Sequence, residues 1–146
     1  MQLAEDFKEF LRLLNEKKVK YLLVGGHAIS FHGYVRPTGD MDIWVEGTVE
    51  NGMKLREALA DFGFGDAGFS IRDLIDPKKI LRLGIPPVRI EIMTEIDGVQ
   101  FQECFSSGVD CEIDGIKIHF INLEQLKKNK KASGRLKDLA DLDYLP

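Results

Sequence analysis

Tyr21-Leu22-Leu23-Val24-Gly25-Gly26-His27-Ala28-Ile29-Ser30-Phe31-His32-Gly33-Tyr34-Val35-Arg36-Pro37-Thr38-Gly39-Asp40-Met41-Asp42-Ile43-Trp44-Val45 decides how this chain is read. Its first four residues are all apolar and close a strand expected over Val19 to Val24, covered on both faces. Gly25-Gly26 turns that strand into a short helix, expected from about His27 to Phe31. Glycines at a strand exit let backbone N–H groups approach an anion, and the helix N-terminus behind them favours negative charge. Arg36-Pro37-Thr38-Gly39 then leads to a second strand. Alternation puts Asp40, Asp42 and Trp44 on one face and Met41, Ile43 and Val45 on the other. Two carboxylates that close repel each other without a counter-charge, and on one strand face they can hold hard cations together. The glycines do not follow the G-x-G-x-x-G spacing of dinucleotide-binding proteins.

Working outward, residues 3–17 repeat apolar side chains at helical spacing (Leu3, Phe7, Phe10, Leu11, Leu14), which predicts a packing helix. Thr48 is an N-cap for a helix over about 49–62, with Met53, Leu55, Leu59 and Phe62 expected inward. Residues 63–78 are rich in glycine and polar residues and read as a mobile connection with one helical turn near Ser70 to Ile75. Lys79 to Leu83 and Val88 to Met93 read as strands joined by Gly84-Ile85-Pro86-Pro87. In the second of these, Arg89, Glu91 and Met93 alternate with Val88, Ile90 and Ile92. Glu91 is then either a surface residue paired with Arg89 or, if its strand lies beside the Asp40–Asp42 strand, a third carboxylate of one site.

A short helix is expected within 97–107, and a hairpin over Asp110 to Ile121 turns on Asp114-Gly115. Asn122 caps a further helix that carries a basic run: Lys127, Lys128, Lys130, Lys131, then Arg135 and Lys137. Gly134 separates it from a last helix over about 135–144, where Leu136, Leu139, Ala140 and Asp143 share a face and Asp138 and Asp141 stand on the other side, positioned to pair with Arg135 or Lys137.

Length and composition bound the answer. The chain has 146 residues, enough for one domain with a proper core, and its 44% hydrophobic and 30% charged residues are those of a soluble globular protein. The net charge of −4 excludes polyanion binding by bulk electrostatics. Cys104 and Cys111 fit no zinc spacing and read as reduced thiols. The N-terminal residues lack the pattern of a targeting segment and no stretch is long enough to span a bilayer, so a cytoplasmic protein is expected.

Gly25-Gly26, His32-Gly33, Arg36, Thr38, Asp40 and Asp42, with the tail residues Lys130, Gly134-Arg135, Lys137-Asp138 and Asp141, resemble the nucleotidyltransferase superfamily typified by DNA polymerase β, and within it the small bacterial AbiEii-type proteins. Two departures stand out: Gly26 takes the place of a common serine, and the third carboxylate is Glu91 rather than Asp. The resemblance implies an α/β (α+β) nucleotidyltransferase fold, a mixed β-sheet flanked by helices in a single domain over 1–146. It implies a nucleoside triphosphate bound against Gly25 and Gly26, with Arg36, Thr38, Lys130 and Arg135 near its phosphates. Arg36 either serves there or anchors Asp40 by a salt bridge. His32 would hold the loop carrying Arg36, and Trp44 would pack in the core or stack on a base.

Asp40, Asp42 and Glu91 would hold two Mg²⁺ ions (or Mn²⁺) about 3.5–4 Å apart, as two-metal sites do, and an acceptor hydroxyl would attack the α-phosphorus. The acceptor is open between an RNA 3′ end, a protein side chain and a small molecule. Two other readings stand beside this one. The chain could be an inactive nucleotide- or partner-binding module of a toxin–antitoxin pair, or a metal-dependent phosphohydrolase, although it lacks the His/Asp clusters common in the latter.

Overall fold

The computed structural model describes residues 2–65 and 68–146. A six-stranded mixed sheet runs through it in the order β3-β4-β2-β1-β6-β5, where β1 is Tyr21–Val24, β2 Asp40–Val45, β3 Leu81–Ile85, β4 Val88–Met93, β5 Val109–Ile113 and β6 Ile116–Phe120. The helices are α1 (Glu5–Glu16), α2 (Gly25–Phe31), α3 (Val49–Leu59), α4 (Ile71–Ile75), α5 (Phe101–Ser106), α6 (Leu123–Ser133) and α7 (Leu136–Tyr144), with one π-helical turn at Ala60–Phe64 after α3. This is the mixed sheet with flanking helices expected from the sequence.

Two pairings place the site. β1 and β2 are antiparallel with Val24 opposite Asp42, so the end of β1 and the Gly-Gly turn arrive beside the second aspartate. β2 and β4 are parallel with Asp40 opposite Arg89 and Asp42 opposite Glu91. Paired residues on neighbouring strands point to the same face, so two acids, an arginine and a third acid form one charged patch. All four residues of β1 are buried, as a central strand covered on both faces requires.

The local signals hold where a side chain supplies the missing backbone partner. Thr48 Oγ1 accepts from Asn51 N–H at 3.2 Å, Ser70 Oγ from Asp73 N–H at 3.1 Å, and Asn122 Oδ1 from Gln125 N–H at 2.8 Å. Asp114 and Gly115 both have positive φ (52° and 79°), the backbone of a type I′ hairpin turn. Gly134 ends α6 in the left-handed conformation at φ 67°.

Four expectations need correction. Helix α2 begins at Gly25 itself rather than near His27, because Val24 takes the extended N-cap position. Met53 is 53% exposed; Leu55, Ala58 and Leu59 supply the buried stripe of α3, and Asn51 beside them is buried by bonds to the backbone of Lys20 and Glu46. The third strand starts at Leu81 and continues through Gly84 and Ile85 to a two-residue turn at Pro86-Pro87. The hairpin strands run from Val109 and end at Phe120. The connection expected over 63–78 contains α4, and its residues 66 and 67 lie outside the described residues.

Candidate active site

A cleft of about 710 Å³ opens at the end of β1 and between β2, β4, α6 and the start of α7. Gly25, Gly26, Arg36, Thr38, Asp40, Asp42, Glu91, Lys130 and Arg135 all line it. These residues run from position 25 to position 135, and the two strand pairings with the α6–α7 junction bring them to one place.

The glycine turn is shaped around its neighbours. Gly25 has φ 66°, and a Cβ there would overlap the Asp42 carboxylate. A Cβ on Gly26 would fall 2.5 Å from Thr38 Oγ1 and 2.9 Å from Thr38 Cβ. A side chain at position 26 would therefore press on Thr38, whose hydroxyl stands in the cleft wall and donates to Asp40 O at 3.3 Å.

The carboxylates differ sharply in their partners. Asp40 accepts two bonds from the Arg89 guanidinium, at 3.2 and 2.8 Å. Glu91 lies 3.3 Å from Arg82 Nε and 3.3 Å from Arg89 Nη2. Asp42, between them, has no ion pair among the described residues. Burial, then the neighbouring charges of Glu91 and Asp40, push its pKa up from 3.8 to about 6, while Lys130 and Lys137 pull the other way. Among the described residues no three His, Cys, Asp or Glu side chains converge as a metal-holding group. Arg89 and Arg82 already hold Asp40 and Glu91. The donor chemistry itself, carboxylate oxygen alone beside one carboxylate without a counter-charge, suits a hard divalent cation.

The opposite wall is basic, and apart from Lys137 its cations are already paired with acids. Lys130 is buried and lies 2.7 Å from Asp138 and 3.4 Å from Asp141. Asp138 also takes Arg135 Nε at 2.6 Å and the Ser133 hydroxyl at 2.5 Å. Although burial alone would raise its pKa, the bonds from Lys130, Ser133 and Arg135 outweigh it and hold Asp138 at about 2. Arg36 grips Asp141 with two bonds of 3.1 Å. Arg36 therefore anchors a carboxylate, but that of Asp141, and Arg89 is the anchor of Asp40. Asp138 pairs with Arg135 as expected and with Lys130 in place of Lys137.

Other expected roles are placed as follows. His32 Nε2 lies 2.7 Å from Ile121 O and ties the loop before Arg36 to the end of β6. His27 is buried edge-on against Phe7, and burial lowers its pKa. Trp44 is a core residue, 1% exposed, with Nε1 donating to Thr94 O at 3.0 Å. Both cysteines are free thiols.

Sequence reasoning missed Arg82 and Lys137 as residues of the cleft and gave Arg89 no function there. Arg89 carried a readable signal, since it stands two residues before Glu91 on the same strand face. Lys137 is exposed, lines the cleft and, among the described residues, has no ion pair.

Residues 3–145 match the model of a protein family described as nucleotidyl transferases of unknown function (DUF2204). The chain belongs to this family. A crystal structure from Thermotoga maritima, of a protein provisionally described as a nucleotidyltransferase, superposes with a TM-score of 0.65 at 17% identity and covers 94% of this chain and 88% of its own. That likeness shows a shared fold. No curated protein matches the sequence. No helix among the described residues is long and apolar enough to cross a membrane.

Proposed function

We propose that this member of the nucleotidyl transferase family moves a nucleoside monophosphate from a nucleoside triphosphate to an acceptor hydroxyl, with Mg²⁺ as cofactor. The observation that carries the reading is Asp42: a largely buried carboxylate without a counter-ion among the described residues, in register with Glu91 and directly under the backbone of Gly25. A fold stabilised by its own contacts alone has little reason to keep such a charge, which costs free energy until a cation arrives.

In this reading the N–H groups at the start of α2 and the Thr38 hydroxyl face the phosphates. Lys137, the cleft cation that is not tied to an acid among the described residues, offsets their charge. Asp40, Asp42 and Glu91 are the residues that would hold the metal, and a bound Mg²⁺ there would neutralise phosphate oxygens and lower the pKa of a coordinated hydroxyl. Lys130, Arg135 and Arg36 act one step back: their ion pairs with Asp138 and Asp141 fix α7 and hence the position of Lys137.

One observation favours a second reading. Arg89 and Arg82 already occupy two of the three carboxylates, as they would in an inactive nucleotide- or partner-binding module of a toxin–antitoxin pair. Labelled transfer separates the two. The protein is incubated with each of the four α-labelled triphosphates and Mg²⁺, with RNA, protein and small-molecule acceptor pools. A labelled product that disappears in Asp42→Asn supports the transferase. Binding of triphosphate without product in every pool supports the module.

A further inference from the structure

We propose that Arg89 is a resident counter-cation that competes with the metal for Asp40, so that the acid cluster forms a cation site only when the guanidinium lets go. This rests on the proposed reading of Asp40, Asp42 and Glu91 as metal-facing residues and adds a positioning residue that the family resemblance did not single out.

Three observations lead to it. The strand register sets Arg89 opposite Asp40 on the face that also carries Asp42 and Glu91. Its guanidinium forks onto both Asp40 oxygens and also reaches Glu91 at 3.3 Å, so a single cation bridges two of the acids, while Asp42 has no ion pair among the described residues. The acids do not converge while it does so. A two-bond guanidinium–carboxylate pair is among the stronger surface ion pairs because its geometry is fixed. Both partners are about 30% exposed, 30% for Arg89 and 31% for Asp40, so the pair is open enough to exchange with a cation from solution.

A cation arriving at Asp42 recruits Asp40 and Glu91 only by displacing Arg89. The cost of that displacement makes the free protein a weak metal binder. A metal ion that arrives already bound to a triphosphate is favoured, because the phosphates offer the released guanidinium a new anionic partner.

The test is Mn²⁺ binding, read by electron paramagnetic resonance and by calorimetry in the absence of nucleotide, on the wild type, Arg89→Gln, Arg89→Lys, Arg82→Gln and the Asp40→Asn/Arg89→Gln double variant. Circular dichroism confirms that each is folded. Arg89→Gln is expected to bind Mn²⁺ roughly tenfold more tightly than wild type. Arg89→Lys, which keeps the charge but loses the fork, should fall between them, and the double variant should lose the gain.

A folded Arg89→Gln that binds Mn²⁺ no better than a wild type that does bind it overturns the inference and leaves the metal reading standing. So does an equal gain in Arg82→Gln, since that variant frees Glu91 and leaves Asp40 in the grip of Arg89. Absence of Mn²⁺ binding in all variants, in these titrations and in their repeat with a triphosphate present, overturns both.

Discussion

Two walls of one cleft use the same side chains to opposite ends. On the α6–α7 wall, Lys130, Arg135, Arg36, Asp138 and Asp141 close a network in which every charge has a partner within 3.4 Å. On the β2–β4 wall, Asp42 has no ion pair among the described residues, and the acids Glu91 and Asp40 stand beside it. The first arrangement builds the cleft. The second leaves a carboxylate whose charge the described residues do not offset. In a site without ligands, the way to tell a structural charge from a working one is whether the fold has already neutralised it.

The largest effect should come from breaking the closed wall. Lys130→Met leaves Asp138 and Asp141 buried with less compensation, and a loss of about 3–5 kcal/mol is expected in urea denaturation, as for one partner removed from a buried pair. Loss of less than about 1 kcal/mol would mean that Arg36 and Arg135 suffice, and that Lys130 is free to serve the ligand after all. On the other wall the sign reverses. In metal-free protein at pH 8, Asp42→Asn removes a desolvated charge and should stabilise by about 1–3 kcal/mol, while Mg²⁺-dependent triphosphate binding is lost. Destabilisation by that variant would show that Asp42 has a structural partner.

Acid titration sharpens the same contrast, because the two aspartates move in opposite directions. Asp138 has a folded pKa near 2, below its unfolded value, so its contribution is complete above about pH 4 and is lost as pH falls through 2. Asp42 has a folded pKa near 6, above its unfolded value of about 3.8. Its contribution is complete below that value and is lost as pH rises through 6. Stability measured by denaturant against pH should therefore rise from pH 2 to 4 and fall from 4 to 6. Asp138→Asn should flatten the first limb and Asp42→Asn the second. If the second limb persists in Asp42→Asn, another group produces it.

Much of the β2 wall was legible in the sequence. Asp40 and Asp42 announced themselves by spacing, Glu91 by alternation, and the Gly-Gly turn by its place at the end of an apolar run. Which arginine met which acid was not legible, because that depends on strand register and on a helix junction. Arg36 could reach either Asp40 or Asp141 until the α7 position was known, and only the parallel β2–β4 pairing put Arg89 on Asp40. The missing serine at position 26 had no explanation in the sequence either. The close approach of Gly26 to Thr38, twelve residues away, is visible only in the structure.

That steric account makes an intermediate-sized prediction. Gly26→Ser should cost about 1–3 kcal/mol through overpacking against Thr38, and Thr38→Ala in the same chain should recover most of it. Simple additivity of the two changes would mean that the side chains do not meet.

The smallest effect concerns the helix most easily misread. The pattern in α7 groups Leu136 and Leu139 with Ala140 as an apolar stripe, which usually marks the buried face. The structure turns that stripe outward: Leu136 is 87% and Leu139 40% exposed, whereas Asp138 is 1% and Asp141 4% exposed. Ion pairing explains the reversal. Arg36, Lys130 and Arg135 converge on one side of the helix and offer its two aspartates more than the core could offer two leucines at a cleft margin. Leu136→Ser should consequently change stability by no more than about 0.5 kcal/mol, as an exposed position does, with triphosphate binding intact. A loss of 2 kcal/mol or more would mean that Leu136 is covered in solution, and that the face of α7 outside the cleft has a partner of its own.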